Sequence, residues 1–270
     1  MVFLSSLFMG DIVRNNLVNS AETAISSTET NINTDLKELK TLLDSTAEIV
    51  RCLILREYGF DTVAQYITDM TDFALKDEWL KVYSTGFYGF FEVFDNIFYD
   101  GTGCVPPDDY IPEGRPWYKT GVEANGEVGI TDSYFAMAVG KPTLSFSRRI
   151  FDEEGRPLGI VCLDILLDKV RGYAVNTNFN GSGYGLLLSD NMEVLAHPDE
   201  TQWGNTLANM GIGISDLAGY LEQGKRISER RVKNYKGEAS VAFFQQIQNG
   251  WYIGFLIPET IYFNEMRNMP

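Results

Sequence analysis

The feature that most constrains this chain is a long helical stretch without proline, from Asp11 to about Tyr58. Apolar or near-apolar residues recur there at steps of three and four, the spacing of one helix face. They are Val18, Ala21, Ile25, Thr28, Ile32, Leu36, Leu39, Leu43, Ala47, Val50 and Leu53. Such a helix spans roughly 70 Å, about twice the diameter of a small domain. The pattern is compatible with a coiled coil, a core helix, or a stalk that runs along two stacked modules.

A polar patch within the stretch bears on that choice. Thr28 lies in the apolar seam itself, and Asn31, Asn33 and Thr34 lie beside it. Polar residues in a coiled-coil seam reduce its stability, so the patch favours the stalk over a self-sufficient coiled coil.

The short apolar opening, MVFLSSLFMG, has no basic residue. It fits either the end of a preceding transmembrane helix, which we favour, or ordinary sequence that packs on the domain.

Composition excludes several classes of protein. With 44% hydrophobic and 13% aromatic residues in 270, the chain has enough apolar side chains for a packed core, which argues against disorder. The net charge of −15 excludes nucleic acid as a natural partner, because binding it relies on Lys and Arg that neutralise phosphates. No segment reaches the roughly 18–20 consecutive apolar residues that a membrane span requires.

The sequence also lacks the signatures of catalysis and metal binding. The three cysteines, Cys52, Cys104 and Cys162, form no C-x-x-C pair, and His197 is the only histidine. A structural zinc site needs about four such ligands, and neither a calcium-loop pattern nor G-x-S-x-G occurs. We therefore expect no catalytic residue, no metal and no cofactor, and we expect that the chain is not an enzyme.

After the long helix, the pattern of elements occurs twice. A helix is predicted over about 61–78, followed by an aromatic strand–turn–strand over 86–101, a short helix that opens at Arg115 and a hairpin with Gly155 in its turn. Further hairpins are predicted around Asp190-Asn191 and Lys236-Gly237, with a closing strand that ends at Pro258 and a last helix. This order predicts an α+β fold, in which two antiparallel sheets flanked by helices follow the long helix.

Six residues in the stretch from Tyr110 to Asp164 carry the strongest chemical signal. They are Tyr110, Arg115, Trp117, Tyr118, Tyr134 and Asp164. The Arg115 guanidinium can pair with a carboxylate through two hydrogen bonds, and Trp117 and Tyr110 are further donors. Asp164 lies in the apolar run GIVCLDILL, where an unpaired carboxylate is costly. A ligand ammonium would satisfy it, and Tyr134 could add a cation–π contact.

A structural role is the competing interpretation of the same residues. Asp164 could form an internal ion pair with Arg148, Arg149 or Lys141, and the large aromatic rings could be ordinary core residues. Alternation along the strand places Asp164 on the same face as Cys162 and Ile160.

The spacing of the six residues favours the functional interpretation. It reads Y-x4-R-x-W-Y, then a tyrosine 17 positions after the tryptophan and an aspartate 30 positions after that tyrosine. This resembles the amino-acid-binding motif of the double Cache (dCache) family, extracytoplasmic sensor domains of bacterial chemoreceptors, histidine kinases and diguanylate cyclases. The resemblance implies that Tyr110, Arg115 and Trp117 hold a ligand carboxylate and that Tyr134 and Asp164 hold its ammonium.

Tyr118 occupies the aromatic position that follows the tryptophan in the family motif. The family often has a second acid two residues after the later tyrosine, where this chain has Ala136. The same fold could therefore sense an amine, a carboxylate or another small metabolite, and a free-standing periplasmic binding module is a further alternative.

The resemblance also implies an organisation of the whole chain into PAS-like Cache modules. Residues 1–58 are expected to form a stalk helix, 59–174 a membrane-distal, ligand-binding module, 175–258 a membrane-proximal module and 259–270 a helix that leads to the membrane. It further implies an extracytoplasmic location, a membrane-anchored parent protein that is a homodimer, and a small-molecule partner, an L-amino acid.

Overall fold

The computed structural model describes residues 2–136, 140–177, 182–210, 214–247 and 250–267. The chain divides into two compact units. The middle unit is Asp35–Lys169, and the terminal unit combines Met1–Thr34 with Val170–Pro270. The predicted α+β class, with a long N-terminal helix and two antiparallel sheets, is confirmed.

The first helix, α1 (Val2–Leu55), contributes residues to both units. Its predicted seam is buried from Ala21 to Val50, but Leu17 and Ile54 are the buried residues near its ends, in place of Val18 and Leu53. A turn of 3.6 residues moves the buried face relative to a strict three-and-four count, which accounts for the one-residue differences.

The polar seam residue Thr28 has a specific partner within the terminal unit. Its hydroxyl lies 2.7 Å from that of Thr177, so the buried hydroxyl is satisfied and the seam need not be apolar there.

No helix in the described part of the chain carries an apolar window long enough to cross a membrane. Side chains of residues 1–11 lie outside those described, so how the opening segment packs stays a prediction.

The middle unit is built on a six-stranded antiparallel sheet. Its elements are α2 (Phe60–Lys76), β1 (Ser84–Phe91), β2 (Ile97–Asp100), α3 (Pro116–Glu123), β3 (Val128–Ile130), β4 (Tyr134–Ala136), β5 (Lys141–Phe151) and β6 (Pro157–Leu166). The strand order is β2-β1-β6-β5-β3, and β4 pairs with another part of β5. Gly155 has φ of 79° in the β5–β6 turn, the left-handed conformation predicted for it.

The terminal unit contains a five-stranded antiparallel sheet. After α4 (Asp168–Val175) come β7 (Tyr184–Leu188), β8 (Val194–Ala196), α5 (Ser215–Leu221), β9 (Ile227–Lys233), β10 (Ala239–Gln246), β11 (Tyr252–Pro258) and α6 (Glu259–Arg267). The strand order is β8-β7-β11-β10-β9. Gly237, with φ of 80°, occupies the predicted turn between β9 and β10.

A bulge interrupts the pairing of β1 with β6. The pairing of β1 with β6 shifts between Ser84 and Phe87. The Phe87 amide donates to the Thr71 hydroxyl of α2 at 2.9 Å instead. Gly101 allows this close approach, because a Cβ there would come within 2.2 Å of the Thr71 hydroxyl. Helix α2 thereby contacts β1 at its bulge and the residue that follows β2.

Within the middle unit, α1 is tied to the sheet region by a buried hydrogen bond. Asp35 of α1 is only 8% exposed, and the hydroxyl of the fully buried Tyr83 donates to its carboxylate. We expect Tyr83→Phe to lower the free energy of unfolding by about 1–3 kcal/mol, because a buried acceptor loses its donor. Urea unfolding of the purified domain measures the difference.

Tyr99→Phe is the matched control. Its hydroxyl lies 2.7 Å from that of Thr68, but both side chains are partly exposed, so water can replace the lost partner. A loss as large for Tyr99→Phe as for Tyr83→Phe would show that the buried bond to Asp35 has no special weight.

Candidate functional site

The middle unit contains a cavity of about 260 Å³. This is just below the roughly 300–1,000 Å³ typical of small-molecule sites, so its occupant must be small. Five of the six predicted site residues line it: Tyr110, Arg115, Trp117, Tyr134 and Asp164. They come from the loop before α3, from α3 itself, and from β4 and β6. Residues up to 54 positions apart in the chain therefore meet at one cavity.

The fold brings the later residues to the cavity through strand pairing. Strand β5 pairs with both β4 and β6, which places Tyr134 opposite Thr143 and Asp164 opposite Ser145. Cys162 and Ile160 share the face of β6 that carries Asp164, and they pack in one cluster with Trp117. Leu163 and Ile165, on the other face of β6, are fully buried as well. Asp164 thus lies in a strand with apolar neighbours on both faces.

Asp164 is 6% exposed and is held by hydroxyl groups from three strands. Its Oδ1 accepts hydrogen bonds from Ser145 and from Tyr88 at 2.8 Å, and Tyr134 lies 3.5 Å away. These donors meet one carboxylate oxygen, so the hydrogen bonds described leave the second oxygen for another donor.

The pKa values of this group follow from burial. Burial raises the pKa of Asp164 to about 6, although the hydrogen bonds from Ser145 and Tyr88 lower it. Burial, and then the nearby Asp164 charge, raise the pKa of Tyr88 and of Tyr134. Both phenols therefore keep their protons at neutral pH, and Tyr88 donates its proton to the carboxylate.

Two of the candidate cations for a structural ion pair with Asp164 are engaged elsewhere. Arg148 bonds the carboxylate of Glu48 at 3.0 Å and the backbone oxygen of Asp44 at 2.8 Å. Arg149 bonds Glu92 at 2.7 Å. The third candidate, Lys141, has a side chain outside those described. Hydroxyl groups, and no cation among the described partners, therefore hold the Asp164 carboxylate.

Arg115 is the basic residue among the described residues that line the cavity. Arg115 precedes α3, whose first residue is Pro116, a favoured helix start. Its guanidinium lies 5.4 Å from the ring centre of Tyr110, and its buried Nε has no hydrogen-bond partner among the described residues. A buried guanidinium nitrogen without a partner is costly unless a ligand satisfies it.

Trp117 does not present a free N–H to the cavity in this structure. Its Nε1 donates to the Tyr110 hydroxyl at 3.2 Å. Tyr110 then keeps its own O–H to donate, so the pair forms a relay toward the cavity. Trp117 is 2% exposed and packs edge-on against Tyr88 at 5.4 Å between ring centres, which fixes the indole.

Tyr118 is the predicted residue that the structure does not bring to the cavity. Its ring packs edge-on against Phe90 at 5.8 Å and against Trp117 at 5.9 Å, behind the lining. Consecutive helix positions point in directions about 100° apart, so Trp117 and Tyr118 cannot both face one cavity.

Tyr88, Ser145 and Asp100 are among the polar residues at this site that sequence reasoning missed. Tyr88 and Ser145 hold Asp164, and Asp100 lines the cavity from the end of β2. A signal existed for Ser145, since the turn at Gly155 pairs β5 with β6 and brings it opposite Asp164. The position of Tyr88 depends on the pairing of β1 with β6, and that of Asp100 also depends on the pairing of β2 with β1. Strands β1 and β6 are far apart in the chain, so no turn motif in the sequence indicates that they pair.

Comparison with known proteins identifies the family to which this fold belongs. A family model described as a Cache domain, of the dCache_1 type, matches residues 10–266. The chain belongs to the Cache domain family. The family match covers nearly all of both units, so the motif seen in the sequence lies in the expected fold.

Curated relatives of this Cache domain are chemotaxis receptors. It is 35% identical over 94 residues to methyl-accepting chemotaxis protein McpG of Pseudomonas putida, a match to 35% of this chain and 14% of that protein. It is 27% identical over 165 residues to TlpA of Bacillus subtilis, covering 60% of this chain and 22% of that protein. The matches span 14–19% of the lengths of McpG, PscA and PctB.

Solved structures share the fold of this Cache domain. The ligand-binding domain of the Pseudomonas aeruginosa chemoreceptor PctB with L-Arg superposes with a TM-score of 0.70 at 20% identity, covering 92% of this chain and 97% of that one. That of Pseudomonas fluorescens CtaA with L-isoleucine gives 0.71 at 21% identity, over 94% and 97%. At such identities the likeness shows the fold alone.

The raised pKa of Asp164 predicts how the stability of the empty domain depends on pH. The folded state binds the proton with a pKa of about 6, against 3.8 for a free carboxyl. The wild type should therefore be most stable relative to Asp164→Asn below pH 4, and should lose that advantage as pH rises through about 6. At pH 7.5 we expect Asp164→Asn to be more stable by about 2–3 kcal/mol.

Urea unfolding of both proteins from pH 4 to pH 8 measures this dependence. The asparagine keeps an oxygen that can accept from Tyr88 and Ser145, so the variant isolates the charge. Parallel stability profiles across that range would contradict the expectation.

Proposed function

We propose that this chain is the extracytoplasmic ligand-sensing domain of a bacterial chemoreceptor, and that its middle unit binds a small L-amino acid. The observation that carries the proposal is the polarity of the cavity. The same cavity is lined by Arg115, whose buried Nε has no described hydrogen-bond partner, and by Asp164, one of whose carboxylate oxygens the described hydrogen bonds leave unused. A zwitterion can present its carboxylate to the first group and its ammonium to the second.

The residue roles follow from this geometry. Arg115 and the Tyr110 hydroxyl bind the ligand carboxylate, and Trp117 contributes through its bond to Tyr110. Asp164 accepts from the ligand ammonium, and the ring of Tyr134 faces the same cation. Tyr118, the remaining residue of the motif, supports Trp117 from behind.

The relatives support this choice of function. The matching curated proteins are methyl-accepting chemotaxis proteins, which favours a chemoreceptor over a histidine kinase or a diguanylate cyclase. PctB and CtaA, which share the fold, are solved with L-Arg and with L-isoleucine. We assign the middle unit to the membrane-distal module and the terminal unit to the membrane-proximal module of a membrane-anchored homodimer.

Binding changes no covalent bond in this proposal. The ligand shifts a conformational equilibrium, and α1 and α6 pass that shift toward the membrane. Such a shift requires a higher ligand affinity in one state than in the other, so the cavity walls should tighten around the bound ligand.

An amine sensor is the second candidate, and one observation favours it. Ala136 lines the cavity and brings no acid to the position where the family often has one. An amine would need Asp164 but not Arg115.

A thermal-shift screen of the twenty amino acids, simple amines and organic acids separates these candidates, since only a bound ligand raises the melting temperature. Recovery of the ligand unchanged distinguishes binding from turnover.

We expect Arg115→Ala to weaken binding of any α-amino acid by about 30- to 4,000-fold, because losing a desolvated charge pair typically costs about 2–5 kcal/mol. Isothermal titration calorimetry with the best ligand of the screen measures the loss.

Arg156→Ala is the matched control. Arg156 lies in the exposed β5–β6 turn, where it pairs with Asp152 and Glu154, and its side chain is 74% exposed. Its removal should leave the affinity unchanged. Full affinity in Arg115→Ala would remove that residue from the site.

A further inference from the structure

The cavity contains a second acid that the amino-acid motif does not use. Asp100, the last residue of β2, lines the cavity and is half-buried. Its Oδ1 accepts hydrogen bonds from the backbone N–H of Thr102 at 2.8 Å and from the Thr102 hydroxyl at 2.6 Å. This turn holds the carboxylate in one place and leaves its other oxygen outside these two bonds.

Asp100 and Asp164 belong to different parts of the cavity wall. Asp100 lies opposite Tyr88 on β1, and Tyr88 lies opposite Cys162 on β6. Two strand spacings therefore separate the backbone of Asp100 from that of β6, roughly 10 Å. The two charges still interact: burial is the main cause of the raised pKa of Asp164, and the negative charge of Asp100 adds to it.

The charges of the described cavity lining do not balance for a simple zwitterion. Asp100 and Asp164 are acidic, whereas Arg115 is basic. A neutral amino acid pairs its carboxylate with Arg115 and its ammonium with Asp164, which leaves the Asp100 carboxylate uncompensated at the edge of a partly desolvated cavity. A ligand with one additional positive charge compensates it.

The wall beside Asp100 also suits a polar ligand side chain. Thr102, whose hydroxyl donates to Asp100, and Thr85 are among the lining residues. The net charge of −15 adds a long-range attraction for cations. The described lining contains no third acid, and Phe98 and Cys104 form an apolar part of the wall that can pack along the chain of a long ligand side chain.

We propose that Asp100 makes this cavity selective for an amino acid whose side chain carries a positive charge, with the Asp100 carboxylate as the partner of that charge. This inference rests on the proposed function, because it takes the Arg115 and Asp164 ends as the sites of the ligand carboxylate and ammonium. It adds the class of ligand and the residue that selects it.

L-arginine and L-citrulline form the matched ligand pair, since citrulline has nearly the same shape and no side-chain charge. Calorimetry on the whole domain at pH 7.5 and low salt should give at least about tenfold tighter binding for arginine. This magnitude lies between the weak effect of an exposed ion pair and the strong effect of a buried one.

Asp100→Asn tests the residue directly. Asparagine keeps the oxygen that caps Thr102, so the turn is preserved and only the charge is lost. Arginine should then bind about tenfold more weakly, while citrulline affinity should change by less than about twofold. Asp95→Asn is the control: it makes the same charge change on an exposed residue of the β1–β2 connection, where φ is 56° and asparagine is well tolerated.

The outcomes separate this inference from the proposed function. Equal binding of arginine and citrulline, or an arginine preference that survives in Asp100→Asn, overturns the role of Asp100 and leaves amino-acid binding intact. Binding of agmatine, which lacks the α-carboxylate, as tightly as arginine overturns the carboxylate role of Arg115. Failure of every α-amino acid to bind overturns the proposed function itself.

Discussion

The middle unit is organised around one carboxylate in the interior of a sheet. Asp164 lies on β6 with fully buried apolar residues on either side, and a charge in such a place must be compensated. Ser145 on β5 and Tyr88 on β1 supply hydrogen bonds, and Tyr134 on β4 lies close by. Side chains from β1, β4 and β5 thus converge on one acidic group. The partial compensation leaves the carboxylate hydrogen-bonded, still able to accept, and facing a cavity.

The acidic and the basic group of the cavity lining are held in different ways. Hydroxyl groups on strands hold the Asp164 carboxylate, and burial raises its pKa to about 6. Arg115 stands at the start of α3 with its guanidinium near the ring of Tyr110, and its buried Nε has no hydrogen-bond partner among the described residues. A ligand that contacts both groups links the loop before α3 to the sheet.

Much of this arrangement could be predicted from the sequence, and the errors have physical causes. The seam of α1, the turns at Gly155 and Gly237 and the face shared by Asp164 and Cys162 follow local periodicity and turn chemistry. Tyr88 and Asp100 could not be found in that way. Their placement in the site depends on the pairing of β1 with the distant strand β6 and on a bulge in β1, and a one-residue slip reverses which face a side chain takes.

The division of α1 between two units has a consequence for the order of folding during synthesis. The middle unit is one continuous segment, Asp35–Lys169, whereas the terminal unit needs both Met1–Thr34 and Val170–Pro270. On the ribosome, the segment that holds the ligand cavity is complete while more than a third of the chain is still to be translated. The part of α1 before Asp35 must then wait for partners that are translated later, such as Glu229 of β9, which pairs with Arg14. The segment that lines the cavity can therefore fold on the nascent chain before the rest of the terminal unit has been made.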